Sequence, residues 1–179
     1  MTEGNEFDRL EDELRARTDE EVRQDAAEAA ADAELLRRRR RSLTDLFLEA
    51  MAQGDRVRLS VAGRWAVAGD LVHVGSDFVT IIDEHTTADV ALSAAVARFE
   101  RATRGGRSST GGARTLVARL REFEATGESV VVRTSHDNEV RGIVSLVASD
   151  HVMIADDDGV QQAIPSPSVV MVVRPFRPR

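Results

Sequence analysis

The chain has 179 residues, 42% of them hydrophobic and 4% aromatic, with a formal net charge of −7 and no cysteine. That length suits one domain or two small ones, and the missing cysteine excludes disulfides and thiolate metal sites. No apolar run approaches the roughly 20 residues that cross a bilayer. The first 30 residues are acidic, where a secretory leader is basic and then apolar, so the expected location is cytoplasmic, with no membrane partner.

All 24 basic residues are arginine, a codon signature of a GC-rich genome that carries no function. Charge is unevenly placed along the chain. Residues 1–36 hold 13 acids and 4 arginines, residues 37–41 are five consecutive arginines, and residues 101–121 hold six arginines and no acid. An acidic protein can hold a polyanion on such patches, but long-range repulsion weakens the interaction.

Residues 5–41 read as helix, from Phe7, Leu10 and Leu14 and then Val22, Ala26, Ala29, Ala33 and Leu36 at helical spacing. Thr18 followed by Glu21 fits a capping box and predicts a break there. The seam suits packing on a neighbouring domain or pairing with a partner helix. The run Arg37, Arg38, Arg39, Arg40 and Arg41 complements the helix dipole and pairs with the acids before it, as Arg38 does with Glu34. The same run is a candidate contact for RNA or a protein partner.

A short helix follows Ser42, with Leu43, Phe47, Ala50 and Met51 on one side and Gly54 at its end. Alternating residues then predict strands at 57–61, 67–74, 78–82, 90–92 and 96–99. The segment "GDLVHVGSDFVTIID" at 69–83 returns 73 residues later as "GIVSLVASDHVMIAD" at 142–156. The same offset joins Leu43 to Leu116, Phe47 to Leu120, Gly54 to Gly127, Val57 to Val130 and, near the end, Val96 to Val169. A shared offset across a helix, a cap glycine and several strands indicates tandem duplication. The joining segment "RATRGGRSSTGGA" has a linker composition.

Gly69 and Gly142 suit a sharply bent second strand, and "IPSPSVV" at 164–170 suits a tight turn into the last strand. With the leading helix and "VRLSVAG", these residues resemble the Sm-like family of SH3-like barrels. The chain is also similar over almost its whole length to uncharacterised proteins of high-GC bacteria. The resemblance implies a mainly β fold with helices. Two tandem Sm-like, SH3-like five-stranded barrels, each preceded by a short helix, would follow an N-terminal helical segment. The implied division is an acidic helical segment at 1–41, a first barrel at 42–100, a linker at 101–114 and a second barrel at 115–179. The family's base-contacting loop carries a neutral polar residue, whereas the matching loops here hold Ser76-Asp77 and Ser149-Asp150, where a carboxylate repels phosphate. Its second basic motif is missing from "LSAAVARFE" and "IPSPSVVMV". The usual uridine pocket is therefore expected to be absent, and each Ser-Asp pair to form a local turn.

His73, His85, His136 and His151 form no pair at metal-ligand spacing, "DDDGV" at 156–160 reads as a hairpin turn, and no nucleophile elbow or phosphate loop is present. No metal, cofactor or enzymatic activity is expected. The function expected is that of a non-enzymatic interaction or assembly protein, with a protein partner or self-association into an oligomer. RNA binding through Arg-rich patches is the alternative. The candidate contact residues are the run 37–41, Arg101, Arg104, Arg107 and Arg114 in and beside the linker, and Trp65 at a hairpin tip, where it covers the barrel mouth or meets a partner.

Overall fold

The computed structural model describes residues 4–62, 64–101, 106 and 111–175, with first-helix side chains described at Arg17, Glu20 and from Val22 onward. The chain forms two compact units, Met1–Ser42 and Leu43–Arg179. The first unit is helix α1, Gly4–Arg40. It runs unbroken through Thr18, against the break that the Thr18–Glu21 spacing predicts, because no glycine or proline lies in 5–40 and alanine, glutamate and arginine surround the site. The side chains of Phe7, Leu10 and Leu14 lie outside the described residues. Val22, Leu35 and Leu36 are exposed.

In the second unit one succession of elements occurs twice. Helix α2 (Leu43–Gln53) precedes β1 (Arg56–Val61), β2 (Trp65–Val74), β3 (Phe78–Ile82), β4 (Thr86–Ala91), a 3-10 turn at Leu92–Ala94 and β5 (Ala95–Glu100). Helix α3 (Leu116–Thr126) precedes β6 (Ser129–Thr134), β7 (Glu139–Val147), β8 (His151–Ala155), β9 (Gln161–Pro165), a 3-10 turn at Ser166–Ser168 and β10 (Val169–Pro175). The fold is thus mainly β with helices. All ten strands join one antiparallel sheet in the order β5-β1-β2-β3-β4-β10-β6-β7-β8-β9. Strand β4 starts before the predicted 90–92 because Asp83 closes its hairpin. The carboxylate accepts from the amides of His85 and Thr86 at 2.8 and 2.6 Å and from the Thr86 hydroxyl at 3.0 Å.

The two bent strands depend on their glycines. A Cβ on Gly69 would lie 2.2 Å from the Ile82 carbonyl oxygen, and one on Gly142 would lie 2.1 Å from that of Ala155. Beyond each glycine the register slips once, between Leu71 and His73 and between Val144 and Leu146. These bulges add bend and twist to both strands.

The offset of 73 does not persist to the end of the chain. Phe78 pairs with Ala91 but His151 with Pro165, so the β8–β9 hairpin is one residue longer and the offset becomes 74. A second slip between Val169 and Met171 makes it 75. Ser60 pairs with Val96 and the equivalent Arg133 pairs with Met171. Val96 therefore corresponds to Met171 and not to Val169, which corrects the sequence alignment.

The cores interlock across β4 and β10. Val170 and Met171 of the second half belong to the first-half cluster with Phe47, Leu59 and Val90. Phe78 and Ala91 of the first half belong to the second-half cluster with Leu120 and Val172. The β4–β10 seam is thereby an apolar interface as well as a five-rung ladder from Met171 opposite Val90 to Pro175 opposite Thr86.

Candidate interaction surface

An aspartate in the middle of an apolar strand is costly unless it is paired. Asp89 on β4 is fully buried at the seam. Its Oδ1 accepts from the Thr80 hydroxyl at 2.6 Å. The Arg119 guanidinium from α3 lies 3.6 Å from the carboxylate and that of Arg174 from β10 lies 3.8 Å away. Both arginines also reach a helix-side acid, Glu122 at 2.6 Å and Glu128 at 3.8 Å. Asp89 Oδ2 has no hydrogen-bond donor among the described residues. Burial pushes the Asp89 carboxyl above its ordinary value, against the opposing pull of Thr80, Arg119, Arg174 and His73. His73 is also buried and close enough to act on Asp89, and its Nε2–H donates to the Ala113 carbonyl at 2.7 Å. The cluster therefore joins a first-half strand to a second-half helix and strand.

Two further contacts cross the seam. Asp77 Oδ1 accepts from the Leu116 amide at 2.8 Å while Thr115 Oγ1 accepts from the Ala118 amide at 3.1 Å, so the α3 N-terminus is capped from both halves. The Ser76 amide and hydroxyl both donate to the Arg114 carbonyl. The Ser76-Asp77 pair is thus more than a local turn. Trp65 donates its indole N–H to the Thr134 carbonyl at 3.3 Å, with the guanidinium carbons of Arg133 and Arg64 at 4.5 and 4.9 Å from its ring. Its ring thus packs against a cation from each half.

The sheet ends at β5 and β9, and these strands are the duplicates of β10 and β4. Among the described residues, each outer strand therefore lacks the neighbouring strand that its duplicate has. Met171 is fully buried, but its duplicate Val96 is 75% exposed; Leu116 is 7% exposed against 39% for Leu43. The seam cluster has no polar counterpart at the ends. By the registers above, Asp89 corresponds to Ala163, Arg119 to Leu46, Arg174 to Phe99 and His73 to Leu146. Leu46, Phe99, Leu146 and Ala163 are all exposed. A cleft of about 300 Å³ opens between α2 and β5, lined by Leu46, Ala50 and Phe99 together with Glu49, Gln53, Asp55 and Arg101.

The residues singled out in the sequence are dispersed. Arg37 and Arg38 are exposed and ion-paired to Glu34 at 3.3 and 3.0 Å, and Arg39, Arg40 and Arg41 are exposed. Arg101 borders the α2–β5 cleft, Arg114 is exposed beside the α3 cap, and Arg104 and Arg107 lie outside the described residues. The structure does not gather Arg101, Arg114 and Trp65 into one site. Asp89, Arg119 and Arg174 were missed by sequence reasoning, although an aspartate inside "TTADVALSAAV" is the signal that points to them. Among the described residues no cluster of three or more His, Asp or Glu could hold a metal, and no helix is long and apolar enough to cross a membrane. No family model matches the sequence, and no curated protein matches it.

Proposed function

We propose that this chain is a non-enzymatic assembly protein built on two fused Sm-like barrels, and that its working surface is the unpaired α2–β5 end. The order β5-β1-β2-β3-β4 behind a leading helix, repeated as β10-β6-β7-β8-β9 behind α3, supports the Sm-like assignment. One observation carries the functional reading: the 75% exposure of Val96, whose duplicate Met171 is fully covered by a neighbouring half-repeat. An apolar edge strand is an adhesive surface that proteins ordinarily blunt or cover. Leu46 and Phe99 extend the patch on either side of the cleft, so the expected partner is a protein.

The test places a photo-cross-linking benzoylphenylalanine at position 96 in the full chain, with irradiation in cells that make the protein. A cross-link to polypeptide that disappears with Leu46→Asp supports the reading. Cross-links to nucleic acid alone, or none, overturn it. Titration of fluorescent single-stranded RNA at two salt concentrations then decides whether the Arg-rich segments act instead, since phosphate contacts weaken steeply with salt.

A further inference from the structure

We infer that helix α1 pairs antiparallel with the α1 of a second copy of this chain, across a two-fold axis near Val22. This interface shares no residue with the α2–β5 end and holds whether or not that end meets a partner. Because α1 runs unbroken from Gly4 to Arg40, Phe7, Leu10, Leu14, Val22, Ala26, Ala29, Ala33 and Leu36 fall on one continuous stripe, with Thr18 at its one polar position. The eight steps from residue 7 to residue 36 cover 29 residues, about 3.6 per turn, so the stripe follows a straight helix without supercoiling. From Val22 onward every residue of the stripe is exposed, Val22 at 62% and Leu36 at 53%.

The stripe maps onto itself when one helix is reversed against its copy. Phe7 then lies level with Leu36, Leu10 with Ala33, Leu14 with Ala29, Thr18 with Ala26, and Val22 with Val22. Large residues thus meet small ones, and the two helices keep one separation along their length. A parallel pair would set leucine on leucine at one end and alanine on alanine at the other, which calls for two different separations.

Charge selects the same orientation independently of the stripe. Residues 6–13 hold five acids and one arginine, and residues 37–41 are all arginine. The antiparallel pair lays each arginine run along the acidic start of the other helix, with Arg37 level with Glu6. A parallel pair lays five arginines beside five. Flanking charges of this kind set partner orientation in helical pairs. Arg37 and Arg38 are ion-paired to Glu34, whereas Arg39 and Arg40 have no acid partner among the described residues. The contact joins like surfaces through a two-fold axis, so it closes as a dimer.

The experiment uses the full chain carrying Leu46→Asp, which removes any contribution of the α2–β5 end. Light scattering is expected to give twice the 19.6 kDa of one chain, and adding Val22→Asp is expected to return the single-chain mass. Orientation is read by mild oxidation, since the native chain has no cysteine. Positions 7 and 36 lie about 43 Å apart along one helix, too far to bridge within a chain. The Phe7→Cys, Leu36→Cys double variant is expected to form covalent dimers on a non-reducing denaturing gel, and neither single variant is. Covalent dimers of Leu36→Cys alone would show a parallel pair and overturn the inference. A double variant that does not cross-link, or a dimer that survives Val22→Asp, also overturns it. An α1 that serves a different protein would leave the purified chain single, which overturns it as well.

Discussion

At the scale of single residues, the buried Asp89 makes the clearest statement. Its folded-state carboxyl is raised above the ordinary 3.8 because burial outweighs the Thr80 hydroxyl and the two guanidiniums. A raised folded value means that folding favours the protonated form. The Asp89 contribution is therefore fully present below 3.8 and is lost as pH rises through the folded value. Urea midpoints of wild type and Asp89→Asn, measured from neutral pH downward, are expected to show wild type gaining on the variant as acid is added. A constant difference would contradict the assigned direction. Asp77 is the simpler case: Asp77→Ala removes the acceptor for the Leu116 amide, which at an N-cap is worth about 1 kcal/mol. Thr115 still serves the Ala118 amide, so a small loss in urea stability is expected, with the fold intact. The Asp77 carboxylate could be recognised in the sequence as a departure from a base-binding loop. Its actual use as a helix cap could not, because the helix it serves lies 39 residues away.

At the scale of elements, duplication was legible because its best-preserved feature is a local steric requirement. Gly69 and Gly142 each face a carbonyl oxygen that leaves no space for a Cβ, so both copies kept glycine and the offset of 73 could be read. Gly142→Ala is expected to lower stability by about 1–3 kcal/mol, the usual cost of overpacking, as a drop in thermal midpoint. Gly127 is a different glycine. It has open space around it but a φ of 63° at the α3 C-terminus, so Gly127→Ala is expected to cost about 1 kcal/mol through backbone strain alone. The last strand of each copy was misaligned because one added hairpin residue and one bulge leave no compositional trace among Val and Ala. The helix break at Thr18 was misread for the converse reason: residues that form a capping box are also tolerated inside a helix when the flanking residues favour it.

At the scale of the whole molecule, the contrast between a polar seam and apolar ends has a thermodynamic cause. The two halves are covalently joined, so their docking loses little translational freedom, and a buried ion cluster that roughly breaks even is tolerated there. Two separate chains lose about 4–15 kcal/mol of translational and rotational free energy on association. Apolar burial, at about 1.5–3 kcal/mol for each large side chain, can overcome that; a break-even ion cluster cannot. Leu46, Val96, Phe99 and Leu146 are exposed at the ends, where the proposed partner would draw on that contribution.

The proposed working surface can be tested directly because the native chain contains no cysteine and Val96 on β5 is 75% exposed. Maleimide labelling of Val96→Cys in intact cells is expected to be slower than labelling of the Val96→Cys, Leu46→Asp double variant, in which the charge at the cleft prevents a partner from covering the edge. Equal labelling rates for the two variants would contradict the reading of the α2–β5 end as a covered, working surface.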